Sequence, residues 1–166
     1  MKIAIISDTH NHQPNLDCFL SYLKNKPVDL LIHCGDICSF DYLKYLNSQI
    51  ELPIYIAFGN CDFDKEKILS AKENGEFLNC SFFDIGFLKL KNKRLSFLHQ
   101  LDNHNLNQLI KKSDVIFYGH THQPDIQEQG KCLIINPGNL AGLFYRPSFA
   151  FYDLEQNKPE LKILGI

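Results

Sequence analysis

The chain has 166 residues, 45% of them hydrophobic and 22% charged, which excludes a disordered polypeptide and supplies enough apolar surface for a core without disulfide staples. Its 17 basic and 19 acidic residues leave a net charge of -2, which argues against binding nucleic acid by bulk charge but leaves room for a small local phosphate site. No apolar run reaches the ~18 residues of a membrane span. The segment Met1–Ile6 turns polar at Asp8, too soon for a signal peptide. With six cysteines in such a chain, the expectation is a reduced, cytoplasmic protein with no membrane partner.

In chain order, Lys2–Ile6 reads as a buried strand and Pro14–Lys24 as a helix, with Leu16, Phe19, Leu20 and Leu23 at helical spacing. Val28–His33 is a second strand, Phe40–Leu46 a second helix, Ile54–Ala57 a third strand and Asp64–Lys72 a third helix. This βαβαβα rhythm implies a parallel sheet with right-handed crossovers. The second half is mostly β. Phe82–Leu90 and Leu95–Leu98 flank a turn at Asn92-Lys93, and Asn103–Lys111 is helical. Val115–Tyr118 is a strand, Ile126–Gln129 and Cys132–Ile135 form a hairpin at Gly130-Lys131, and Phe149–Leu154 and Leu161–Leu164 close the fold. The architecture expected is α/β: one domain over 1–166, a four-layer α/β/β/α sandwich of two mixed sheets.

The strands end in a recurring way: in Ser7-Asp8-Thr9-His10, His33-Cys34-Gly35-Asp36, Gly59-Asn60-Cys61-Asp62, His99 and Gly119-His120-Thr121-His122. Ligands of open α/β sheets bind outside the carboxyl ends of the strands, so these clusters are expected to converge on one edge. One tetrahedral zinc needs only three or four ligands, whereas Asp8, His10, Asp36, Asn60, His99, His120 and His122 supply seven. Two ions sharing Asp36 use them all. The i, i+2 spacing of Asp8/His10 and His120/His122 aims both members of each pair the same way if the backbone is extended, and Gly35, Gly59 and Gly119 permit sharp turns.

The ordered set Asp-x-His, Gly-Asp, Gly-Asn-Cys-Asp, an isolated His and Gly-His-Thr-His resembles the calcineurin-like metallophosphoesterases. It is most similar to their small single-domain bacterial and archaeal phosphodiesterases, and Asn136-Pro137-Gly138 extends the match. The resemblance implies one ion held by Asp8, His10, Asp36 and His122, and another by Asp36, Asn60, His99 and His120. It implies two divalent transition-metal ions, manganese first, with zinc, iron or nickel as alternatives, because the donors are oxygen and nitrogen. Two such ions, two carboxylates and one hydroxide leave the centre at about +1, suited to an anionic substrate. The implied reaction is hydrolysis of small phosphodiesters by in-line attack of a metal-bridging hydroxide, with Asp36, Asn60 and His99 in the catalytic set and Asn60 also meeting the substrate. The implied partner is a small phosphate ester, with nucleic acid disfavoured. A homo-dimer or tetramer is expected, since the small relatives often self-associate.

The chain departs from the family pattern in three places. Cys61 stands where many members have a His that protonates the leaving group. Phe97-Leu98-His99-Gln100 keeps the ligand His99 but lacks a partner His, and Asn139 replaces a Ser, with Arg146 following late as a candidate phosphate contact. His12 is a candidate substitute acid, against the plainer reading of a helix-capping surface residue. His33 reads as a packed core His, His104 as solvated, and Cys34 and Cys38 as buried thiols. The competing function is a non-catalytic scaffold of the retromer-subunit type, which shares this fold with a partly eroded metal-site pattern; here all seven positions match.

Overall fold

In a computed structural model the described residues are 1–165; Ile166, the last residue of the expected domain, lies outside them. The elements run β1 (Lys2–Ile6), α1 (Gln13–Asn25), β2 (Leu30–His33), α2 (Phe40–Gln49), β3 (Ile54–Ala57), α3 (Lys65–Glu73), β4 (Cys80–Phe83), β5 (Ile85–Leu90), β6 (Lys93–Leu98), α4 (Asn103–Lys112), β7 (Val115–Phe117), β8 (Pro124–Gln129), β9 (Cys132–Pro137), β10 (Ser148–Asp153) and β11 (Lys158–Ile163). One six-stranded sheet has the order β11-β10-β1-β2-β3-β4, and a five-stranded sheet has β5-β6-β7-β9-β8. Strands β1 to β4 run parallel, β10 lies antiparallel beside β1, and β11 pairs antiparallel with β10 at the sheet edge.

The alternation of side chains along each strand builds the layers. Ala4 and Ile6 of β1 face outward onto Leu16, Phe19, Leu43 and Ile68 of the first three helices. Ile3 and Ile5 face the other way, onto Phe97, Val115, Phe117 and Ile135 of the second sheet. Helix α4 closes the far side through Leu109 against Ile116 and Ile134. The four-layer sandwich expected from the sequence is therefore observed.

One expected strand is two. Phe82–Leu90 breaks at a bend at Asp84, so that β4 joins the first sheet and β5 opens the second. A continuous apolar run hides this break, because both halves are β and only the destination changes. The helices start where local chemistry permits. Ser39 accepts the Tyr42 amide at the start of α2, and Asp102 makes a reciprocal cap with Asn105 at α4.

Candidate metal centre

The carboxyl ends of β1, β2, β3, β6 and β7 meet at one edge where the two sheets adjoin. Backbone bonds splice the loops: the Asp8 amide donates to the Gly35 carbonyl at 2.9 Å, and the His10 amide to the Asp36 carbonyl at 3.1 Å. The Gly119 amide donates to the His99 carbonyl at 2.9 Å, and the amides of Leu140 and Ala141 donate to the carbonyls of Ser7 and Asp8. All seven side chains singled out in the sequence come together here.

Two donor sets share one atom. In the first, His122 Nε2 lies 3.2 Å and His10 Nε2 3.9 Å from Asp8 Oδ1, His10 Nε2 lies 3.7 Å from Asp36 Oδ2, and the two Nε2 atoms are 3.4 Å apart. In the second, His99 Nε2 lies 3.4 Å from Asp36 Oδ2 and 2.9 Å from Asn60 Oδ1, and His120 Nδ1 lies 3.0 Å from Asn60 Oδ1 and 3.2 Å from His99 Nε2. Asp36 Oδ2 belongs to both. Its other oxygen, Oδ1, accepts the Cys61 amide at 2.8 Å, which fixes the carboxylate's orientation.

The remaining ring nitrogens are held from outside. His99 Nδ1 donates to the Cys34 carbonyl at 2.8 Å, which leaves the lone pair of the neutral ring on Nε2, facing Asp36. His122 Nδ1 faces the Leu143 carbonyl at 3.4 Å. His10 Nδ1 lies 3.2 Å from Cys38 Sγ. Cys38 is thus half-buried against a site residue, which corrects its reading as a buried thiol; Cys34 is fully buried as expected.

The backbone aims these groups in a way the spacing did not foretell. Asp8, His10, Asp36, His120 and His122 all sit in left-handed backbone, with φ of 51°, 41°, 59°, 67° and 61°. The expectation of extended backbone at the two i, i+2 pairs is corrected. Asp and His tolerate this region better than most residues, yet each such residue costs about 1–3 kcal/mol, and such strain gathers at functional sites. The glycines do more than permit the turns expected of them. Gly35 does turn, at φ +98°. Gly59 and Gly119 are there for close approach: a Cβ would lie 2.1 Å from Asp36 Oδ1 at the former and 1.9 Å from Ser7 Oγ at the latter.

Electrostatically the site demands positive charge. Burial pushes the Asp36 carboxyl up, but the His99 contact, the Cys61 amide and His10 outweigh it and hold the group at about 2. Burial disfavours a charged His99 ring, yet Asp36 and Asp8 raise its pKa. His122 is raised by Asp8 first, against its own burial. Asp8 Oδ1 is fully buried with no hydrogen-bond partner among the described residues, and His122 Nε2 faces it at 3.2 Å. A tetrahedral centre with bonds of ~2.0–2.1 Å spaces its donors about 3.3–3.5 Å apart, close to what both sets display. Orphaned carboxylate oxygen, converging nitrogen lone pairs and spacing all fit divalent cations.

His12 caps α1, its Nδ1 accepting the Asn15 amide at 3.3 Å. Arg146 is exposed on the loop between β9 and β10 and makes no hydrogen bond to the seven residues. His33 is buried as expected. Its Nδ1 accepts the Gly35 amide, so its proton sits on Nε2 and is shared with Thr9 Oγ1 at 3.1 Å, bracing the two loops that carry Asp8, His10 and Asp36. Burial lowers its pKa to about 3 against the pull of Asp8 and Asp36.

Sequence reading missed Asp62 and gave no function to Asn136 and Asn139. Asp62 takes the amides of Gly59, Asp36 and Cys38 on its carboxylate. Asn136 donates to the Gly119 carbonyl, and Asn139 donates to the His122 carbonyl while accepting the Leu143 amide. The motif context of Asp62 was the available signal; the roles of the two asparagines are purely tertiary.

Two sheets sandwiched between helices, with oxygen and nitrogen donors gathered at one sheet edge, define a metallophosphoesterase. The chain belongs to the calcineurin-like phosphoesterase superfamily, whose domain model matches residues 1–157, and it is a hydrolase of phosphate esters. The family implies divalent metal ions. Phosphodiesterase MJ0936 of Methanocaldococcus jannaschii is 32% identical over 163 residues, covering 95% of this chain and 96% of the relative. A solved archaeal phosphodiesterase superposes with a TM-score of 0.89 at 28% identity, covering 99% of this chain and 100% of the other. Vps29 of Chaetomium thermophilum, at TM-score 0.72 and 17% identity over 100% of this chain and 97% of its own, shows the shared fold alone.

Proposed function

We propose that the chain hydrolyses small phosphodiesters at a two-cation centre. The observation that carries this reading is the single oxygen, Asp36 Oδ2, common to both donor sets. Asp8, His10, Asp36 and His122 would hold one ion, and Asp36, Asn60, His99 and His120 the other. Manganese is the first candidate, with zinc, iron and nickel as alternatives, since carboxylate, carboxamide and imidazole donors without a thiolate suit all four better than calcium. Bound there, the ions supply Lewis acidity and a water that ionises near neutral pH.

The chain's own groups do the rest. Asp36, pinned through Oδ1 by the Cys61 amide, keeps the two sets in register. Asn60 lies at the exposed rim, where a phosphate oxygen would meet it, and Arg146, exposed on the loop between β9 and β10, is the candidate for a further phosphate contact. His12 Nε2 has no partner among the described residues and is the atom that would protonate the leaving oxygen. Cys61 is poorly suited to that step, since burial first and Asp36 next raise its thiol pKa. The archaeal relatives are phosphodiesterases, which supports diesters as the substrate class.

The scaffold reading rests on likeness to Vps29 proteins, which reaches only the fold. The two readings part in one assay. Protein loaded with manganese should hydrolyse bis-p-nitrophenyl phosphate, lose activity in chelator, and lose it in His99→Ala with the fold intact by circular dichroism. Folded, metal-loaded protein that turns over neither diesters nor monoesters would leave the scaffold reading in front.

A further inference from the structure

A third donor set lies on the other side of the His10 ring. His10 Nε2 faces Asp8 and Asp36, whereas Nδ1 faces Cys38 Sγ at 3.2 Å. Cys61 Sγ completes a trio in which the nitrogen and the two sulfurs all lie within 4.8 Å of one another. Both thiol-bearing residues are clamped: the Cys38 amide donates to Asp62 Oδ1 at 2.8 Å, and the Cys61 amide to Asp36 Oδ1 at 2.8 Å. Neither thiol is in a disulfide, and all three residues are half-buried, within reach of a small ion from solvent.

The donor chemistry here is opposite to that of the neighbouring centre. Two sulfurs and one imidazole make a soft set that selects zinc, cadmium or copper(I) over manganese or magnesium. The carboxylates of Asp36 and Asp62, which hold the two loops, also favour a cation at this position. We propose that His10 Nδ1, Cys38 Sγ and Cys61 Sγ form a separate site for one thiophilic metal ion, and that filling it withdraws His10 from the catalytic centre. On binding, each thiol releases its proton to solvent and nothing is oxidised or reduced. A metal ion on Nδ1 takes that nitrogen's lone pair, so the one proton of the neutral ring lies on Nε2 and the nitrogen facing Asp8 and Asp36 offers no lone pair. The site therefore acts as an inhibitory port for soft metals.

Cadmium is the probe, in full-length protein carrying Cys18→Ser to remove the exposed helix thiol. Under a thiol-free reductant, one equivalent should raise a thiolate-to-cadmium charge-transfer band. It should also protect two cysteines from alkylation, mapped by mass spectrometry to Cys38 and Cys61. Cys38→Ser and Cys61→Ser should each weaken the band's apparent affinity by at least ~10-fold, the cost of losing one of three donors. Hydrolysis by the manganese-loaded parent should fall in step with the band. Absence of the band, protection of any other pair, or a band unchanged in both variants would overturn the proposal. So would protection that persists once cadmium is chelated, which marks a Cys38–Cys61 disulfide instead. The band and the mapping need no turnover, so their failure is distinct from failure of the phosphodiesterase reading.

Discussion

Asp62 holds Asp36 from behind: one oxygen of its carboxylate accepts the Asp36 amide at 3.1 Å and the Gly59 amide at 2.7 Å. Its other oxygen takes the Cys38 amide at 2.8 Å, so one buried side chain ties together the loops after β2 and β3. Asp62→Asn replaces an acceptor oxygen with a donor amide that faces backbone N–H groups. Metal affinity should fall ~10–100-fold, as for partners that orient ligands, while the fold persists. A metal titration followed by calorimetry measures this; unchanged affinity would show that Asp62 is a turn residue and nothing more.

Gly59→Ala should disable the site by steric displacement. The added methyl would lie 2.1 Å from Asp36 Oδ1 and 2.5 Å from the Asp36 amide nitrogen, neither of which can move without the shared carboxylate. A misplacement of about 1 Å costs roughly 10²-fold in rate. Gly75→Ala is the control: at φ +89° with nothing within 4 Å, it should lower stability by about 1–2 kcal/mol and leave turnover alone. Melting curves and kinetics on the two variants separate strain from displacement.

His12→Ala tests the missing acid. If His12 Nε2 protonates the leaving oxygen, the loss of rate should grow as the leaving group becomes more basic, up to ~10²-fold. Its capping role predicts only a uniform loss of about 1 kcal/mol in stability. Rates across a series of aryl and alkyl diesters distinguish these outcomes; a flat series removes the acid.

His33 makes stability fall toward acid pH. Its pKa is about 3 in the fold, against an ordinary value of 6.5, chiefly because it is buried. Below pH 6.5 the unfolded chain takes up a proton that the folded chain refuses. The contribution is complete above that pH and declines as pH drops toward 3, by up to ~1.4 kcal/mol per unit. His99 and His122, raised in the metal-free protein, act in the opposite sense, so the comparison must be with His33→Gln in chelator. Urea melts at pH 7.5 and 5.5 should show a steeper decline for wild type; parallel declines would contradict the buried neutral ring.

Much of this was legible in the sequence because the apolar runs stop where chemistry begins. Ile6 gives way to Ser7-Asp8, His33 to Cys34-Gly35-Asp36 and Leu98 to His99, and the sheet edge gathers those ends. What stayed hidden depends on contacts between distant segments. Left-handed backbone at Asp8, His10 and Asp36 has no local signal, since Asp and His are at home in many conformations. Cys38 reads as a buried thiol until the fold sets it beside His10, and Phe82–Leu90 reads as one strand until Asp84 sends its halves to different sheets. Gly59 reads as a turn residue and does open the turn to Asp62, but no local signal shows that it also leaves the space Asp36 occupies.

The sharing of Asp36 between both donor sets is tested most directly by counting metal. Wild-type protein reconstituted with manganese should bind two ions per chain by mass spectrometry under native conditions. His122→Ala should retain the ion at Asn60, His99 and His120, whereas Asp36→Ala, with its fold intact by circular dichroism, should lose both. Two ions retained in Asp36→Ala, or never more than one in wild type, would contradict the account.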